Sequence, residues 1–212
     1  MYESEKHELI NSLRKKGITD EKVLNAFLKV DRHLFVPDIM KHHAYTDVAL
    51  PIGHEQTISQ PYTVAFITQA MELTERLKIL EIGTGSGFQA AILVQMGMKV
   101  YSIERQFDIY QRTQKLYDNL GIRAALIYGD GTIGWDEAAP YDRIIVTAGG
   151  PEVPKRLLKQ LAVKGKMVIP VGDRNTQTMQ IISKISDSEF DTKEIPNFKF
   201  VPLIGKEGWK SE

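Results

Sequence analysis

From Lys78 onward the chain alternates short apolar runs with stretches of helical spacing. Ile79, Leu80 and Ile82 (in KILEI, 78–82) have the mass of a buried strand, and Phe88 to Gly97 (FQAAILVQMG) reads as the helix that follows. Lys99 to Ile103, Arg123 to Tyr128, Asp142 to Thr147 and Lys166 to Val171 repeat the strand pattern. Pro154 to Leu161 predicts a short helix with proline at its start, where a missing N–H costs nothing. Pro170 implies a strand end or a bulge. Thr178 to Ile185 and Lys193 to Val201 alternate apolar and polar residues, which suits antiparallel edge strands. Strands alternating with helices predict an α/β fold: a doubly wound, mostly parallel sheet with antiparallel C-terminal strands. Ligands of such sheets bind beyond the carboxyl ends of the strands.

Residues 1–75 differ in character. Glu3 to Lys15 places Leu9, Ile10 and Leu13 on one helical face, and Asp20 to Val30 does the same with Val23, Phe27 and Val30, capped by Thr19 or Asp20. Arg32 to Pro61 is loop-rich, but Leu34, Phe35, Val36, Val48, Ala49, Leu50 and Ile52 argue against disorder. Thr63 to Leu73 resumes helical spacing. The expectation is an N-terminal cover, 1–75, folded over the ligand end of a core at 76–212 and forming one unit with it.

The first strand runs into Glu81 and then Gly83, Gly85 and Gly87. Such a turn lets the backbone lie close to a ligand, in front of unpaired helical N–H groups. A phosphate-binding loop needs Lys and then Ser or Thr after its last glycine, and Phe88 and Gln89 stand there. A dinucleotide fingerprint fits in relaxed form as Gly85, Gly87 and Ala90, so a nicotinamide-dependent reductase stays open. Glu81 weighs against a pyrophosphate and for a ligand with positive charge and hydroxyls, such as S-adenosyl-L-methionine. Glu104 follows at the tip of the next strand, about 20 residues on, where an acid accepts from ribose hydroxyls. Asp130, between Gly129 and Gly131, is placed to accept from the adenine amine, or is a plain turn residue. The expectation is that three carboxylates, Glu81, Glu104 and Asp130, converge on one site.

Composition narrows the partners. The 212 residues hold 27 basic and 27 acidic side chains, so neither nucleic acid nor a membrane surface is expected as the main partner. No apolar run approaches the roughly 18 residues of a membrane span, and MYESEKHE does not read as a signal peptide. With no cysteine there are no disulfides and no thiol catalysis, and a cytoplasmic protein is the default. His42 and His43 are adjacent without further ligands and predict no metal site; Trp135 and Trp209 read as packing anchors.

The segment EQTISQPY (55–62), with LEIGTGSGFQAA (80–91), YDRIIVTAGG (141–150) and FVPLIGKEGW (200–209), resembles the protein-L-isoaspartate O-methyltransferase family over nearly the whole chain. The glycine turn is shared by many methyltransferases, whereas QTISQP is far more specific. The resemblance implies a Rossmann-like methyltransferase fold with S-adenosyl-L-methionine as cofactor. Its substrates would be isoaspartyl peptides and proteins, repaired through a succinimide by a chain expected to be monomeric. It implies that Ser59 lies at the active site, with Thr57 and Ile58 lining the pockets. Cofactor contacts would fall on Gly83, Gly85, Glu104, Arg105, Asp130 and Gly131, joined by Glu81 and Gly87 from the glycine turn, while Val201 and Leu203 shape the peptide site. Gln56 and Tyr62 depart from some members, which have Ala and His there.

The chemistry agrees. A carboxylate with an ordinary pKa near 4 is already ionised at neutral pH, so methyl transfer to it needs no general base. A protein has to position and desolvate it, a task suited to a Ser hydroxyl and backbone N–H groups. Ser59 as a nucleophile lacks both a G-x-S-x-G setting and a His–Asp partner. A methyltransferase acting on a small molecule or nucleic acid would share the glycine turn and Glu104 without needing the TIS loop.

Overall fold

The computed structural model describes residues 2–210; residues 1, 211 and 212, at the outer ends of the two expected parts, lie outside the described residues. The cover begins with α1 (Glu3–Lys15) and α2 (Glu21–Lys29), which bury Leu9, Ile10 and Leu13, and Val23, Leu24, Ala26 and Phe27. Asp20 is the cap of α2: its carboxylate accepts from the N–H groups of Lys22 and Val23, worth about 1 kcal/mol. The loop-rich stretch contains two 3-10 turns and a two-stranded hairpin, β1 (Leu50–Gly53) with β2 (Gln56–Ile58), and then α3 (Pro61–Ala70).

The core opens with β3 (Lys78–Ile82), whose Ile79, Leu80, Glu81 and Ile82 are all buried, as a strand covered on both faces requires. After it come α4 (Phe88–Gln95), β4 (Lys99–Glu104), α5 (Phe107–Leu120), β5 (Ala125–Tyr128), β6 (Tyr141–Val146), α6 (Lys155–Gln160), β7 (Leu161–Gly172), β8 (Gln177–Lys184) and β9 (Phe190–Phe198). The sheet order is β5-β4-β3-β6-β7-β8-β9, parallel through β7 and antiparallel for β7–β8 and β8–β9, as the alternation predicts. Chain direction across the sheet reverses between β3 and β6, and that switch point opens a crevice at the strand tips.

Two details differ from expectation. Pro170 lies inside β7, paired with Met179. Its carbonyl accepts from Gly150 N–H beyond the end of β6, so the missing donor faces a side where the parallel neighbour has run out. The helix α5 has no counterpart in the apolar pattern because its buried stripe is Ile109, Thr113 and Tyr117, two of them polar. Cover and core share one hydrophobic cluster, in which Phe27 and Phe35 meet the ring of Phe88 at 5.5 Å each.

Candidate active site

Beyond the tips of β3, β4 and β6 lies a cleft of about 830 Å³, open mouth included. The core lines it with Glu81, Ile82, Gly83, Thr84, Gly85 and Glu104, among others; the hairpin contributes Gln56 to Ser59 and the C-terminal tail Val201 to Ile204.

The glycine turn is held from all sides. Gly83, Gly85 and Gly87 have φ of +92°, +52° and +86°, the left-handed region in which other residues are strained. A Cβ on Gly83 would fall 2.6 Å from Thr147 Oγ1, and one on Gly87 2.6 Å from the Tyr117 ring. Thr147 donates its hydroxyl to the Ile82 and Gly83 carbonyls, Thr113 to Gly85 O and Tyr117 to Gly87 O. Glu104, at the end of β4, accepts from Gly85 N–H at 2.9 Å and from Gln106 N–H at 2.8 Å. An ionised carboxylate has about four acceptor sites, so two remain for ligand hydroxyls.

Glu81 is fully buried, and burial pushes its carboxyl up to about 8; the hydrogen bond from Ser102 opposes the rise and Glu104 adds to it. Ser102 donates to Glu81 Oε2 at 2.5 Å and stands 2.6 Å from the Thr84 hydroxyl. The other oxygen, Glu81 Oε1, is buried without a partner, and so is Gln89 Oε1, whose amide nitrogen donates to Thr68. Two buried oxygens without partners on residues lining one cleft suit a polar ligand, and a cationic group on that ligand would favour the ionised form of Glu81. With Glu104 free to take ribose hydroxyls, the residues present fit S-adenosyl-L-methionine.

Of the residues singled out from sequence, Thr57, Ile58, Ser59, Glu81, Gly83, Gly85, Glu104, Arg105, Gly131, Val201 and Leu203 all line this cleft. Asp130 and Gly87 do not. Gly87 is buried beneath Tyr117. Asp130 is turned toward the C-terminal tail. Its Oδ1 accepts from Thr132 N–H and hydroxyl, and its Oδ2 accepts from Lys206 N–H, so it caps a 3-10 turn and anchors the tail. Thr84, Gln89 and Thr147 also line the cleft. Gln89 carries a faint sequence signal, a polar residue on the buried face of α4, whereas Thr84 in the glycine turn and Thr147 just past β6 carry none.

The family model for protein-L-isoaspartate(D-aspartate) O-methyltransferase matches residues 4–208. A relative of that name from Cytophaga hutchinsonii is 47% identical over 98% of this chain and 94% of its own. Another, from Christiangramia forsetii, is 51% identical over 96% and 95%. A solved structure described as a protein-L-isoaspartate O-methyltransferase superposes with a TM-score of 0.86 at 28% identity, covering 96% of this chain and 67% of that one. A Plasmodium falciparum protein solved in complex with S-adenosyl-L-homocysteine superposes at 0.80 with 25% identity, covering 93% and 97%. The chain belongs to the protein-L-isoaspartate(D-aspartate) O-methyltransferase family.

Proposed function

We propose that this protein methylates the free α-carboxylate of L-isoaspartyl residues, the one left off the main chain, in damaged proteins and peptides, with S-adenosyl-L-methionine as donor. When bound, that cofactor supplies a methyl group activated by a sulfonium leaving group. Glu81, Gly83, Gly85, Glu104, Arg105 and Gly131 hold it at the core side of the cleft. Thr57, Ile58 and Ser59 hold the isoaspartyl carboxylate at the cover side, Ser59 orienting it by its hydroxyl without neutralising it. Val201 and Leu203 bound the peptide. Residues 1–75 serve as the substrate cover and 76–212 as the cofactor core.

The observation that carries this reading is the placement of the TIS segment and of Glu104 on one cleft. Desolvation behind the hairpin raises the nucleophilicity of an already ionised carboxylate, so no side chain has to remove a proton. Methylation turns the acid into a better leaving group, which lets the backbone nitrogen close a succinimide that reopens partly to aspartate. The even charge balance favours a peptide over nucleic acid as substrate, and among the described residues no helix is long and apolar enough to cross a membrane.

The test is labelled cofactor with paired peptides, one carrying Asp and the other isoAsp at the same position. Label on the isoAsp peptide alone is expected; equal labelling of both, or of neither, removes the substrate assignment.

A further inference from the structure

The hairpin that roofs the cleft cannot stand on its own. Two short strands joined by a tight turn are marginal in water. Its tip residues His54 and Glu55 sit at φ +52° and +56°, where side-chain-bearing residues are strained. Something outside must hold it, and two arginines do.

Arg32, only 1% exposed, donates from Nε to Ala44 O at 2.8 Å and from Nη2 to Ser59 O at 3.0 Å. Its guanidinium lies 4.8 Å from the ring centroid of Phe88, which lines the cleft. Nη1 is buried without a partner. An apolar side chain would serve packing at lower cost, since burying a cation is expensive unless every donor is met. Keeping the fork there fixes Ser59.

Arg112 works at the other end. From α5 it donates Nη1 to Ile52 O at 2.9 Å, and His54 Nε2 stands 3.5 Å from Asp108 Oδ2 on the same helix. Ile52 Cδ1 lies 3.9 Å from where a Cβ on Gly85 would stand, so this clip presses the roof onto the glycine turn. Here the pairing is with solvent at hand: the His54 and Asp108 side chains are 43% and 69% exposed.

We infer that Arg32 and Arg112 are positioning residues with divided labour. Arg32 is the buried hinge that fixes the Ser59 backbone for the polypeptide substrate, and Arg112 is the releasable clip that holds the roof over the cofactor. The inference rests on the methyltransferase reading and adds how the two ligand sites are governed separately.

The test measures the dissociation rate and Kd of S-adenosyl-L-homocysteine, and kcat and KM for an isoaspartyl peptide, in wild type and variants. Arg112→Met is expected to speed dissociation roughly tenfold, with the peptide KM within about twofold. Arg32→Met is expected to cut kcat/KM for the peptide roughly tenfold with the Kd within about twofold, and Arg32→Lys to restore only part, since an ammonium lacks the fork that spans two carbonyls. If Arg32→Met fails to fold by thermal melt, Arg32→Lys carries that arm. Variants that shift both sites together, or neither, overturn the inference. Wild type that neither binds the homocysteine product nor methylates the peptide would instead bring down the methyltransferase reading itself.

Discussion

Glu104 Oε2 accepts the backbone N–H of Gly85 at 2.9 Å, joining the tip of β4 to the turn that leaves β3. One carboxylate thereby shapes the glycine turn and keeps lone pairs directed to ligand hydroxyls. Glu104→Gln retains one acceptor oxygen and sets an NH₂ donor against a backbone donor. Losing a charge-assisted hydrogen bond costs about 1.5–3 kcal/mol, so affinity for S-adenosyl-L-homocysteine should fall roughly ten- to a hundredfold. Isothermal calorimetry gives the answer, and an unchanged Kd would remove Glu104 from the site.

Glu81 sets a pH dependence of stability. Its folded pKa of about 8 lies above the ordinary carboxyl value of 4.5. Below 4.5 the group is neutral in both states and its contribution is fully present. Between the two values the folded protein holds a proton that the unfolded chain has lost, so stability declines with rising pH, by at most about 1.4 kcal/mol per unit. The loss is complete once pH has passed through about 8. Glu81→Gln is neutral throughout, and its melting temperature relative to wild type should climb from pH 5 to pH 8 and then level off. A gap that stays constant over that window would mean Glu81 is ionised in the folded protein.

Tyr117 tests the support behind the turn. It is 1% exposed and donates to Gly87 O at 2.7 Å. Tyr117→Phe removes one of two donors to that carbonyl, which Ala91 N–H also reaches at 3.0 Å, at a cost of about 0.5–1.5 kcal/mol. For a chain of this size each kcal/mol lowers Tm by about 2–4 °C. Calorimetric melting should show a drop in that range with unaltered far-UV circular dichroism. An unchanged Tm would make the hydroxyl dispensable.

The parallel sheet was legible because strands such as KILEI and DRIIVT carry short β-branched and leucine runs without helical spacing, and because Glu81 and Glu104 fall at strand tips by simple counting. What escaped is the part that depends on side-chain direction. Arg112, Thr113 and Tyr117 of α5 reach the roof and the turn together. Yet a helix burying Thr and Tyr carries little apolar period. Arg32 looked like any loop cation; only the folded chain buries it against Phe88. The hairpin gave no turn signal either, since His54-Glu55 replaces the Asn-Gly or Asp-Gly that announces such a loop.

Asp130 separates two accounts of the cofactor end. Spacing leaves its carboxylate as either an acceptor for the adenine amine or a turn residue, and in the fold it accepts from Thr132 N–H and hydroxyl and from Lys206 N–H. Thr132 in turn accepts from Glu207 N–H, and Gly205 packs so tightly that a Cβ there would meet Asp130 Oδ1 at 2.1 Å. The tail fixed by these bonds is the one that carries Val201 and Leu203 into the cleft, where Leu203 N–H also donates to Gly149 O at 2.8 Å. Asp130→Ala should therefore free the tail and raise the isoaspartyl-peptide KM roughly tenfold, with the Kd for S-adenosyl-L-homocysteine within about twofold. Direct contact with adenine makes the opposite demand: a weakened Kd, as for Glu104→Gln, and an unmoved peptide KM. Steady-state kinetics beside calorimetry on one variant decides between a tail anchor and a base contact, because the two roles act on different ligands.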